Sequence, residues 1–237
     1  MRLTLLVIVA SFAASARLNA QGTPPAPRGD RLQCGTDSMS VVLSLPDGQR
    51  RDKGRIVDQC TVREHDGVKE LGRVYASLDA IVDNHVDTIV DEFATLRPLS
   101  YRSHSKAQTV VLDWSPSSVS GTITPIGQPA RQISESVSGT VFDGASFDVV
   151  LRASPLSLGY ATSVTSFVPG LGVRVLTAKV AVAETIAGTP AWRVEADYAG
   201  LPVTFWIAKD SRRLVKQRMT VGPGTFLEVN ALPAARR

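Results

Sequence analysis

The chain has 237 residues, 43% of them hydrophobic and 20% charged, with 26 Lys+Arg against 22 Asp+Glu. That is length for one or two domains with a sizeable core, and too apolar for a disordered chain. The 18 Gly and 14 Pro exclude a collagen-like or low-complexity protein, and a net charge of +4 is too dilute to mark a nucleic-acid binder.

Residues 1–20 read as a secretory signal peptide. Arg2 is a short basic region, and residues 3–14 are apolar except for Thr4 and Ser11. Leu18-Asn19-Ala20 before Gln21 makes a cleavage site, with Ala14-Ser15-Ala16 as its competitor. An apolar run of about 12 residues falls short of the ~20 that a bilayer span needs. No Cys follows it, which argues against lipoprotein acylation. Cleavage after Ala20 would remove Arg2 and Arg17, leaving a nearly neutral mature chain. No later segment approaches span length, so no transmembrane segment is expected in the mature chain. The protein is expected to be exported, periplasmic or secreted. In an oxidising compartment Cys34 and Cys60 are expected to form one structural disulfide, because neither C-x-x-C nor zinc-ligand spacing is present.

Residues 21–30 are a Pro/Gly-rich lead-in, 31–230 a single β-rich domain, and 231–237 a short basic tail. Two hairpin turns come first: Pro46-Asp47-Gly48 after 41–45, and Asp66-Gly67 between 56–64 and 68–77. Residues 78–93 have two readings. Leu78, Ile81, Val82, Val86, Ile89, Val90 and Phe93 fit a helical stripe, with Asp79, Asp83, Asp87 and Asp91 opposite. The apolar residues are mostly β-branched, however, Asp is a poor helix-interior residue and Asp83-Asn84 makes a turn, so a hairpin is the alternative, and composition does not decide between the two. Residues 144–153 predict one short helix, with Phe147, Val150 and Leu151 on one face and Pro155 limiting its end. From 160 onward the chain predicts strands separated by turns, an antiparallel meander. Within it Trp192, Val194, Ala196 and Tyr198 alternate with Arg193, Glu195 and Asp197.

The catalytic inventory is thin. Gly144-Ala145-Ser146-Phe147-Asp148 departs from a nucleophile elbow at its last position, and Ser146 reads as a helix-start serine. His65, His85 and His104 lack any metal-ligand spacing and read as residues in or beside surface turns. The four-residue Asp series lacks the pattern of a calcium loop and reads as a solvated face or as scattered turn and edge positions. Gly170-Leu171-Gly172 lacks the rest of a dinucleotide fingerprint. No metal site, cofactor or nucleic-acid partner is implied. Aromatics concentrate in the last hundred residues. Adjacent Phe205 and Trp206 must face opposite sides of a strand. Trp192, Phe205, Trp206, Phe167 and Tyr198 are the candidates for an apolar ligand pocket on the concave side of a curved sheet.

An ordered set of motifs spans residues 86–229. It begins with Thr95-Leu96-Arg97-Pro98-Leu99 and continues with the run from Phe142 to Leu156 (FDGASFDVVLRASPL). The 180–184 strand, Ala187-Gly188-Thr189 and Trp192 follow, and then Phe205-Trp206-Ile207-Ala208-Lys209-Asp210-Ser211-Arg212-Arg213-Leu214-Val215-Lys216. This order resembles exported bacterial proteins of the domain of unknown function 3108 type. The resemblance implies a mainly β fold: a strongly curved antiparallel meander or half-open β-barrel, partly closed by a helix, similar in outline to periplasmic lipoprotein carriers. It tips residues 78–93 toward strands and implies strand for the segment ending at Pro98. It transfers no catalytic residues.

The function expected is that of an exported, non-enzymatic β-protein that holds a lipid or other hydrophobic molecule, or contacts an envelope protein. The rival is a structural or interaction module acting through its outer surface or a sheet edge. A hydrolase would require at least two of the three histidines to converge with a carboxylate.

Overall fold

A computed structural model describes residues 26–78 and 84–233. The segment 1–20 expected to be a signal peptide, the start of the lead-in, residues 79–83 with Asp79, Ile81, Val82 and Asp83, and the last four residues lie outside the described residues.

Among these, the strands are β1 (Thr36–Ser44), β2 (Arg50–His65), β3 (Val68–Leu78), β4 (Val86–Glu92), β5 (Pro98–His104), β6 (Gln108–Trp114), β7 (Ser118–Pro125) and β8 (Arg131–Ser136). The two-residue β9 (Phe142–Asp143) and the helix α1 (Phe147–Arg152) follow. The chain then makes β10 (Ala161–Val168), β11 (Gly172–Ile186), β12 (Thr189–Tyr198), β13 (Leu201–Ala208), β14 (Leu214–Gly222) and β15 (Thr225–Ala231). All fifteen lie in one sheet, which runs from β8 back through β1, crosses to β15, and descends to β9. The chain is thus two antiparallel meanders sealed by the β1–β15 pair, where Val41 lies opposite Val229. Only β9 runs parallel to its neighbour, β10.

The fold is mainly β with one short helix, and the sheet is open. Its curvature follows from what shares a core. Ile89, Leu112 and Val119 of β4, β6 and β7 pack with Phe167 of β10, near the far end of the strand order. Only a rolled sheet can bring those side chains together, and β9 returns beside β5 without pairing to it. The larger core gathers inward residues of β1–β3 and β10–β15 around α1. Strand alternation selects them: Val203, Phe205 and Ile207 face in, while Thr204 and Trp206 face out. In β14 a bulge at Val215 resets this alternation, so that Lys216 pairs with Trp206 on the outer side and Gln217 pairs with Phe205 on the inner.

Among the described residues of 78–93 there is no helix. β3 ends at Leu78, β4 begins at Val86, and Ala76 pairs with Val86. Of the helical stripe, Leu78 lies on β3 and Val86, Ile89 and Val90 lie on β4, in keeping with their β-branched content, while Ile81 and Val82 lie outside the described residues. Thr95-Leu96-Arg97 is a turn rather than strand; Leu96 adopts φ 56° and is buried. The helix expected over 144–153 is a 3-10 turn at Gly144–Ser146 followed by α1. All six residues of α1 are buried, because the helix sits inside the roll and not upon it. Burial of Phe147, Val149, Val150 and Leu151 contributes roughly 1.5–3 kcal/mol each.

The Cys34–Cys60 disulfide is formed, across a sequence separation of 26. It ties the segment before β1 to β2, beside the C-terminal end of α1, where Arg31 Nη1 donates to Ala153 O at 2.8 Å. Replacing both cysteines by serine is expected to lower stability by about 3 kcal/mol, read as an earlier urea midpoint with an unchanged denaturant slope. A midpoint equal to the parent's would deny the bridge its structural role.

Candidate functional site

The sequence Asp143-Gly144-Ala145-Ser146 delivers α1 into the roll. Asp143 caps the 3-10 turn, its Oδ1 accepting from Ala145 N at 3.1 Å. A Cβ on Gly144 would stand 2.9 Å from Val168 Cγ2 and 3.0 Å from the Tyr198 hydroxyl, so only glycine allows this approach. Ser146 sits at the helix start, buried, but its hydroxyl makes no cap bond.

A buried charge network fastens α1 to the wall. Arg73 of β3 donates through Nε and Nη2 to both oxygens of Asp58, at 2.7 and 2.9 Å. Through Nη1 and Nη2 it donates to both oxygens of Asp148, at 2.8 and 3.0 Å. Arg152 Nη1 lies 3.7 Å from a carboxylate oxygen of each, and its Nε donates to Arg212 O. Burial alone would lower the Arg73 guanidinium, but Asp148 and Asp58 outweigh it and hold it well above its ordinary value.

Beside this network the concave face opens into a cleft of about 370 Å³. Its apolar walls include Ile89, Phe147, Val203, Phe205, Leu214 and Met219. Arg73, Tyr75, His85, Asp87, Asp148 and Gln217 bring polar groups to it. The volume and the mixture match small-molecule sites in general.

Behind the Gly144–Ala145 wall lie more carboxylates. Asp87, Ile89 and Asp91 alternate on the inner face of β4, and Asp143 stands opposite. Asp87 Oδ1 accepts from the Tyr101 hydroxyl at 3.2 Å. Asp91 Oδ1 and Asp143 Oδ2 are buried with no hydrogen-bond partner. Burial pushes the Asp143 carboxyl up to about 7, despite the Ala145 amide, and Asp87 adds to the shift. Burial and then Asp143 push Asp91 well above the carboxylate range.

Of the aromatics expected in a pocket, Tyr198 and Phe205 line this cleft. The others stand elsewhere. Phe167 belongs to the second core, 6.4 Å from Trp114 in an edge contact. Trp192 packs at the rim of the main core under Lys209 Nζ, 4.2 Å from its ring centre. Trp206 points outward, opposite to Phe205, and its Nε1 donates to Glu184 at 2.6 Å. Strand alternation and strand position separate them.

The histidines do not converge. His65 ends β2 beside the Asp66-Gly67 turn, exposed, at the far end of β3 from His85. His104 pairs with Val86, the neighbour of His85, so their side chains take opposite faces. His85 is not a surface residue of the expected kind; it lines the cleft, its ring 5.8 Å from that of Tyr75.

Sequence reasoning missed the ionisable groups, and it gave Asp87 and Asp91 a bland reading. Both face inward. The available signal was the period-2 alternation Asp87-Ile89-Asp91 and Leu71-Arg73-Tyr75, which put charge among core residues.

A family profile described as "Protein of unknown function (DUF3108)" matches residues 63–229. No curated protein matches the chain.

Proposed function

The chain belongs to the DUF3108 family of proteins of unknown function, and within it we propose an exported, non-enzymatic binding protein whose cleft takes a hydrophobic ligand. The observation that carries this reading is the cleft itself: an apolar opening on the concave face, with convergent polar groups at one end. Export is supported by the N-terminal sequence and by the disulfide, which persists in oxidising compartments. Against a role as an edge-pairing module, β8 at one edge of the sheet is short, polar and charged. Such edges are blunted against strand addition.

The test is a neutral apolar fluorophore, N-phenylnaphthylamine, titrated into the purified protein. Binding is expected, and Met219→Trp, which fills the cleft, is expected to weaken it by about tenfold or more while circular dichroism stays unchanged. Absence of probe binding, or binding indifferent to Met219→Trp, would overturn the reading. Cross-linking that captures one envelope protein, with no bound lipid, would favour the outer-surface alternative.

A further inference from the structure

The charges around the cleft do not cancel evenly. Arg73 is the one arginine or lysine among the described lining residues. Four hydrogen bonds commit its guanidinium to Asp58 and Asp148. With Arg152 beside them, these two cations and two carboxylates neutralise one another. Among the described residues no uncommitted arginine or lysine lines the cleft to receive an anionic head group.

What remains is acidic. Asp87 opens onto the cleft from β4, with Asp91 on the same strand and Asp143 of β9 behind it. The tyrosines facing them, Tyr75, Tyr101 and Tyr198, are pushed up by burial and stay neutral. His85 Nε2 lies 3.9 Å from Asp87 Oδ2, an ion pair only when the imidazole is protonated. Two carboxylate oxygens in this group, Asp91 Oδ1 and Asp143 Oδ2, lack a partner, on side chains only 2% and 1% exposed. Buried acceptors without partners are costly, and burial offsets part of that cost by holding protons on these two carboxyls, which leaves Asp87 as the acidic group that opens on the cleft. Among the described residues no three His, Cys, Asp or Glu side chains are grouped to hold a metal ion.

Resting on the ligand-binding reading above, we propose that the ligand is a cationic amphiphile. An alkylammonium or similar organic cation seats its head at Asp87, and its chain lies along Phe205, Val203 and Met219. The head brings N–H donors and positive charge to Asp87, the acidic lining side chain outside the Arg73 network, while the chain meets the apolar side.

Three ligands of equal chain length test this: decylammonium, decanol and decanoate, each displacing bound N-phenylnaphthylamine at pH 7.5. Decylammonium is expected to compete at least about tenfold more tightly than decanoate, with decanol between them. Asp87→Asn is expected to shrink that ratio to under about threefold, whatever its effect on the probe. The comparison on the unaltered protein stands even if the variant folds poorly. Decanoate equal to or tighter than decylammonium, with the probe still bound, would overturn the cationic assignment and leave the hydrophobic cleft intact. A protein that binds neither the probe nor any of the three chains overturns both.

Discussion

Replacing Arg73 by methionine is expected to cost about 3–5 kcal/mol of folding stability, the range for breaking a buried ion pair from one side. The size comes from what stays behind. Asp58 and Asp148 would keep Arg152 as their only cation, at 3.7 Å, inside a core where Arg73 and Asp58 are 4% and 5% exposed. The four hydrogen bonds of 2.7–3.0 Å would vanish together. Two carboxylates close to one another would then repel without screening by water. Because Asp148 belongs to α1 and Asp58 to β2, the loss also unfastens the helix from the wall it closes. Urea denaturation reads the effect as a lowered midpoint. Removing the charges together, in Arg73→Met and Arg152→Met with Asp58→Asn and Asp148→Asn, is expected to recover more than half of the loss, since no unpaired ion is then buried. A single variant within about 1 kcal/mol of the parent would show that the network is not what holds α1 in place.

The parts of this molecule that were legible in its sequence are those governed by local chemistry. Period-2 alternation and Gly-centred turns announced the second meander, and Asp143 and Pro155 bracketed the helix. The resemblance carried by residues 142–156 and 205–216 agreed with the family match over 63–229. The site was harder to read, for a reason of geometry. A cleft inside a rolled sheet is assembled from β3, β4, α1, β12, β13 and β14, which pairing brings together from distant parts of the chain. Alternation tells that Asp87 and Asp91 share a side of β4, but only the roll decides that this side is interior. The same roll sends Trp206 outward and Phe167 to a different core, though both are as aromatic as Phe205. The ionisable interior was disguised for a further reason. Arg73 and Asp58 sit on different strands, fifteen residues apart, and each alone looks like an ordinary surface charge.

The acidic interior has a consequence for stability that runs opposite to ordinary acid denaturation. Asp143 titrates at about 7 in the folded protein, against an ordinary value of 3.8. Below pH ~4 the carboxyl is protonated in both folded and unfolded chains, and the fold has its full stability from this group. As pH rises toward 7 the unfolded chain gives up the proton while the folded chain keeps it. Stability therefore falls, by ~1.4 kcal/mol per pH unit and on the order of 4 kcal/mol in all. Above 7 both states are ionised and the curve levels. Asp91 is shifted in the same direction and steepens the fall. Asp58 and Glu228, held low mainly because Arg73 and Lys216 overcome their burial, act the other way and cost stability only in stronger acid. Asp143→Asn keeps the Oδ1 acceptor for Ala145 N and removes the ionisation. It is expected to flatten the slope between pH 4.5 and 7 and to stabilise the protein at pH 8 by a few kcal/mol. Urea midpoints at pH 4.5, 6 and 8 measure both quantities; parallel curves for parent and variant would mean that Asp143 is not the group that titrates. Because an organic cation seated at Asp87 would favour the ionised form of this neighbourhood, decylammonium should also lessen the pH dependence of the parent, and more than it lessens that of Asp143→Asn, where Asp91 alone remains to respond.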